Sequence, residues 1–277
     1  MPDFNEILPI NLSRLVGTHD CPALIDLRID QDFAEAPTLI PGSIRHNFKD
    51  LEGLIHKLEQ LGKNRTIIYC QKGRKISQGV ASLLRERGVT SEVLAGGHLG
   101  YLAQEFPMVD TRALPALTSG EPTRWVTRHR PKIDRIACPW LIKRFIDPLA
   151  TFMFVPAVDV SLVAEKFDAI PFDMEGVEFS HFGSKCSFDS FLSKFSIASE
   201  PLEQLANIVR AADTGRLEEA PQAAGLLAMA TGLSRMLKDD HEQLAWGIHH
   251  YDALYRWARD AQSEIHVWPH NGAGAPK

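Results

Sequence analysis

The sequence has few cysteines, and the ones it has lie far apart. Cys21, Cys70, Cys138 and Cys186 form no C-x-x-C pair, which argues against a zinc finger or a disulfide framework and for reduced thiols. No apolar run approaches the roughly 20 residues that span a bilayer. Residues 1–16 include acidic side chains and no basic stretch followed by an apolar one, so they do not read as a signal peptide. There is no internal repeat, no low-complexity tract and no strong excess of either charge; the net charge is −5 over 277 residues. That balance calls for neither a membrane nor nucleic acid as partner, although it does not exclude nucleic acid. These absences leave the expectation of a cytoplasmic globular protein without a cofactor.

What is present divides the chain in two. Residues 113–122 hold Pro115, Pro122 and a Ser119-Gly120 pair without periodicity, and they read as a linker. Residues 1–112 and 123–277 are then two domains of ordinary size. In the first, apolar runs at Ala23–Leu27, Thr66–Tyr69 and Ser91–Leu94 predict strands. The 3–4 residue spacing in Phe48–Leu61 and Ile76–Arg87 predicts helices between them. That alternation predicts an α/β domain with a parallel sheet flanked by helices. The second domain reads as α+β and mostly helical. Helices are expected at Ala137–Ile146, Leu202–Ala212, Ala223–Leu237 and a last stretch through Leu244, Ile248, Tyr251 and Tyr255. Strands are expected at Thr151–Val155 and Val177–Phe182.

The clearest chemical signal is the turn after Thr66–Tyr69. Cys70 ends the strand, and Gln71, Lys72, Gly73, Arg74 and Lys75 lead into a helix. A helix start offers unpaired N–H groups and the positive end of a dipole. A loop curled around sulfur would aim further N–H groups at it. Both favour the thiolate, the nucleophilic form. The three cations suit an anionic substrate. The bland alternative, a small buried cysteine beside solvated lysines, does not account for a glycine-centred basic turn.

Four pieces in order resemble the rhodanese family: Leu24-Ile-Asp-Leu-Arg28, Ile40-Pro-Gly-Ser-Ile44, Tyr69-Cys70-Gln-Lys-Gly-Arg-Lys75, and Leu94-Ala-Gly-Gly97 followed by Tyr101. Leu39 stands where the family commonly has a histidine before I-P-G, a position that is not the nucleophile. The resemblance implies a sulfurtransferase in which Cys70 carries a persulfide. Gln71, Lys72, Gly73, Arg74 and Lys75 would bind a small anionic sulfur donor such as thiosulfate, and a thiol or cyanide would accept the sulfur. Asp26 and Arg28 would brace the domain. Related phosphatases place an arginine six residues after the cysteine; Ile76 stands there and cannot hold a phosphate.

Residues from about 123 resemble the C-terminal domain of the chromate-resistance B family. The matching stretches include Asp134–Asp147, Ser180-His-Phe-Gly183, Cys186-Ser-Phe-Asp189 and Ile208–Thr214. This resemblance implies a role in chromate resistance, makes chromate a further candidate partner, and supplies a competing reading as a chromate-responsive redox sensor or transcriptional regulator. No metal is assigned. His181 and Asp213 are weak candidates, with Asp173 or Glu175 as additional carboxylates, against the commoner reading of a hydrogen-bonded histidine. The basic run Arg124, Arg128, Arg130, Lys132 and Arg135 reads first as a solvated face or linker anchor, and second as an oxyanion or nucleic-acid contact.

Overall fold

The structure, a computed structural model, describes residues 5–264. In the first half the apolar runs become strands buried on both faces, as parallel strands under two helical layers must be. The strands are β1 (Glu6–Ile7), β2 (Ala23–Asp26), β3 (Thr38–Leu39), β4 (Ser43–Arg45), β5 (Thr66–Tyr69), β6 (Ser91–Leu94) and β7 (Val109–Asp110). Five of them form a parallel sheet in the order β1-β6-β5-β2-β4, and β3 pairs antiparallel with β7.

Five helices connect the strands: α1 (Pro9–Ser13), α2 (Asp30–Glu35), α3 (Leu51–Leu61), α4 (Lys75–Glu86) and α5 (Gly97–Leu102). Asp50 starts α3 by accepting from the Gly53 N–H at 2.9 Å, and Gly62 ends it in the left-handed conformation. Leu54 and Leu58 of α3, with Val80, Ala81 and Leu84 of α4, cover Ile25, Leu27, Ile68 and Val93. Burial of each such leucine contributes about 2 kcal/mol. The opposite sheet face, through Leu24, Ile67, Tyr69 and Leu94, joins a larger core that continues into the second half.

The second half runs β8 (Arg124–Arg128), α6 (Asp134–Leu141), β9 (Thr151–Val155), α7 (Val160–Phe167), β10 (Ile170–Pro171), α8 (Ser187–Lys194), α9 (Glu200–Asp213), α10 (Ala223–Met236) and α11 (Asp240–Arg256). Its three strands form a small parallel sheet in the order β10-β8-β9. Trp125, Phe172, Phe179 and Phe191 fill the centre, with ring centroids 4.7 to 6.2 Å apart. The half is α+β and mostly helical, as its pattern predicts.

Two local expectations need correction. Val177–Phe182 forms no strand; single bridges join Phe172 to Phe179 and Phe182 to Lys185. Gly176 and Gly183 turn the chain at either end with positive φ, and Phe179 is an anchor in the aromatic core, not one rung of a ladder. The helix expected at Ala137–Ile146 starts earlier, at Asp134, and its last turn, Ile142–Ile146, widens to π geometry. Residues 113–122 lie docked on the first half. Leu117 is buried, Arg45 donates to the Thr118 carbonyl, and Lys57 donates to that of Gly120. The halves also touch directly, with the Gly42 N–H donating to the Phe145 carbonyl at 2.6 Å and the Asp110 N–H to that of Phe195 at 3.0 Å. Among the described residues no helix is long and apolar enough to cross a membrane.

Candidate functional site

Cys70 stands at the carboxyl end of β5, the central strand, where open parallel sheets hold their ligands. The side chain is 5% exposed. Burial pushes its thiol pKa up, but hydrogen bonds from the Ser77 hydroxyl and from the backbone N–H groups of Ser77, Arg74 and Lys72 outweigh it. The net result lies below the ordinary thiol value. The Ser77 hydroxyl is 3.3 Å from the sulfur and also 3.1 Å from the Arg74 carbonyl. It has one proton to give, so a thiolate competes for that proton while a neutral thiol does not need it.

The turn keeps its shape because two glycines interlock. Gly73 has φ +64° and Gly97 φ +59°. A Cβ on Gly97 would collide with the Cys70 carbonyl and the Gly73 N–H, and one on Gly73 would collide with the Leu94 carbonyl. The amides of His98 and Leu99 donate to the carbonyls of Cys70 and Gln71 at 3.0 and 3.1 Å. The start of α5 therefore holds the loop, and the loop's own amides stay free to face sulfur. Behind it, His98 is fully buried, with Nε2 3.3 Å from the Thr38 hydroxyl and Nδ1 unpartnered. Burial, and then the charge of Arg28, push its pKa down to about 4. It is a neutral ring at physiological pH.

Lys72, Arg74 and Lys75 are exposed around the turn, and among the described residues no carboxylate pairs with them. Gln71 is buried, and its amide donates to Glu35 at 3.2 Å. Asp26 and Arg28 lie beneath, wholly buried and paired at 2.6 Å. Arg28 also donates to the carbonyls of Ala36 and Thr38, which ties β2 to the segment before β4. Ser77, Glu35 and His98 carry no motif signal: a serine in a first helical turn is ordinary, and the other two reach the loop only through tertiary contact.

The second half brings His181 and Asp213 together and adds two carboxylates. His181 Nε2 lies 3.3 Å from Asp213 Oδ2, 3.4 Å from Asp134 Oδ2 and 3.4 Å from Asp173 Oδ1. Glu175, in contrast, is exposed. Asp134 opens α6, and its carboxylate accepts from the Ser187 and Phe188 amides that start α8, at 2.6 and 3.0 Å. Asp173 accepts from the Ser187 hydroxyl at 2.8 Å, and its other oxygen meets Arg128 and Arg135 at 3.1 and 3.2 Å. Much of the basic run is thereby used internally; Arg130 likewise donates to the Ser234 and Leu237 carbonyls. The facing carboxylates of Asp134 and Asp173 raise the pKa of His181 to about 10. Cys138 and Cys186 are buried nearby, with thiols pushed up by desolvation. One oxygen of Asp134, one of Asp173 and one nitrogen of His181 lie within 4.8 Å of one another and form a set that can hold a metal ion.

Residues 11–104 match the family model of the Rhodanese-like domain, and residues 125–258 match that of ChrB, C-terminal domain. The chain carries a rhodanese-like domain followed by a ChrB C-terminal domain. Protein ChrB of Cupriavidus metallidurans is 35% identical over 133 residues, 48% of this chain and 40% of that protein. The match thus spans well under half the length of that relative. Among solved structures, a thiosulfate sulfurtransferase from Pseudomonas aeruginosa is 21% identical over 39% of this chain and 20% of that one, with a TM-score of 0.32. A rhodanese-related protein from Thermoplasma volcanium is 19% identical over 38% of this chain and 98% of its own, with a TM-score of 0.33. The rhodanese-like match encloses Cys70 and its loop, and the ChrB match encloses the His181 cluster.

Proposed function

We propose that the chain is a sulfurtransferase that moves a sulfane sulfur through a persulfide on Cys70. One observation carries the reading: the sulfur of Cys70 lies 3.3 Å from the Ser77 hydroxyl, in a turn whose contacts hold its thiol below the ordinary pKa and so favour its thiolate. In the first step this thiolate attacks the outer sulfur of thiosulfate or a similar donor. A bond forms between Cys70 and that sulfur, the donor's S–S bond breaks, and its electron pair leaves on sulfite. In the second step a thiol or cyanide takes the outer sulfur, and the Cys70 thiolate leaves. Lys72, Arg74 and Lys75 draw in the anion, and the loop amides stabilise charge as it passes between sulfurs. Gly73 and Gln71 shape the loop. Ile76 in place of an arginine supports sulfur over phosphate as the substrate element.

The match to the ChrB C-terminal domain supports the further reading that the transfer serves chromate resistance, and the widely spaced cysteines support a cytoplasmic setting. Incubation with thiosulfate and cyanide tests the activity. Thiocyanate and sulfite should form in equal amounts with the wild type and not with Cys70→Ser. Equal turnover by the two proteins would remove Cys70 from the chemistry. Chromate-sensitive DNA binding without turnover would favour the competing regulatory role.

A further inference from the structure

Away from Cys70, the second half holds a cluster that the sulfur chemistry does not use. We propose that Asp134, Asp173 and His181 bind a first-row divalent metal ion, of the Mn2+, Fe2+ or Zn2+ class, with Asp213 bordering the same position. The spacing argues for it. His181 Nε2 is 3.3 to 3.4 Å from an oxygen of each of three aspartates. Charge-assisted N–H···O bonds are shorter, about 2.7 to 2.9 Å, and one N–H cannot point at three acceptors. Donors bound about 2.1 Å from one ion, in contrast, stand about 3.0 to 3.4 Å apart, the octahedral and tetrahedral edges.

The surroundings fit ligands held in place for an ion. Asp134 is fixed by two amides at the start of α8, and Asp173 by Ser187 on one oxygen and two arginines on the other. Such outer contacts orient ligating carboxylates while leaving a lone pair on each facing oxygen. Asp134 and Asp173 are 1% and 6% exposed, whereas His181 is at the surface, so an ion has an entry path. Two oxygens and one imidazole suit a first-row divalent ion over Mg2+ or Ca2+. A soft site is disfavoured because the neighbouring sulfurs face aspartates, Cys138 facing Asp134 at 3.7 Å and Cys186 facing Asp189 at 3.4 Å.

The test uses the full-length chain, stripped with chelator and titrated calorimetrically with Mn2+ and with Zn2+. The expected result is one ion per chain and a raised Tm. His181→Gln should weaken binding at least about tenfold, the scale of losing even an orienting contact, and His56→Gln, far along the sequence in the first half, should not. Pulsed EPR of the Mn2+-loaded wild type should show coupling to one imidazole nitrogen, which keeps the test decisive if the variant folds poorly. Absence of stoichiometric binding, unchanged affinity in a folded His181→Gln, or no nitrogen coupling would overturn the proposal. In that event His181 is only the protonated counter-ion of its aspartates.

Discussion

Ser77→Ala isolates the contact that sets the state of Cys70. The hydroxyl is fully buried and 3.3 Å from the sulfur. A hydrogen bond to a charged group is worth about 1.5 to 3 kcal/mol. At 1.36 kcal/mol per unit, its loss raises the thiol pKa by about 1 to 2 units, the three backbone donors remaining. The pH dependence of iodoacetamide alkylation measures this. The other thiols interfere little: Cys138 and Cys186 are buried, and desolvation lifts Cys21 to about 11. The alkylation midpoint of Ser77→Ala should move to higher pH by that amount, with far-UV dichroism unchanged. A midpoint equal to that of the wild type would show that the backbone amides alone set the ionisation and that the serine contact is passive.

Gly97→Ala should remove transfer activity while the sheet still folds, because its methyl would strike the Cys70 carbonyl and the Gly73 N–H. Activity above about a tenth of wild type would mean that the interlocked turn is not required for the loop's function. His98 predicts a pH effect on stability. Its folded pKa, about 4, lies below the ordinary 6.5, so the unfolded chain takes up a proton that the native chain refuses. Stability is unaffected above pH 6.5 and falls by about 3 kcal/mol as pH drops from 6.5 to 4. Urea unfolding across that window, compared with His98→Gln, should show the variant losing less; parallel curves would refute the buried neutral ring.

Local pattern made much of the first half legible. Thr66–Tyr69 and Ser91–Leu94 are strands at the very residues where β-branched and apolar runs lie, and α4 begins one residue before its expected start. The Cys70 turn stood out because strand, glycine, cations and helix follow one another in sequence. The His181 cluster is different. Its members come from the start of α6, the loop after β10, the loop before α8 and the end of α9, and only tertiary folding brings them together. His181 and Asp213 are legible as polar residues in segments that otherwise look buried, whereas Asp134 precedes the helix expected at Ala137–Ile146 and carries no signal of its own. Phe179 misled for a related reason: its alternation with polar neighbours mimics a strand, although it anchors a loop in an aromatic core.

Persulfide mapping tests the sulfur-transfer claim most directly. The reduced protein is incubated with thiosulfate, freed of small molecules, and digested under non-reducing conditions for mass analysis. The account predicts a gain of about 32 Da, one sulfur atom, on the peptide containing Cys70. The gain should disappear on adding cyanide, which leaves as thiocyanate. An unmodified Cys70, or the added sulfur on Cys21, would contradict it.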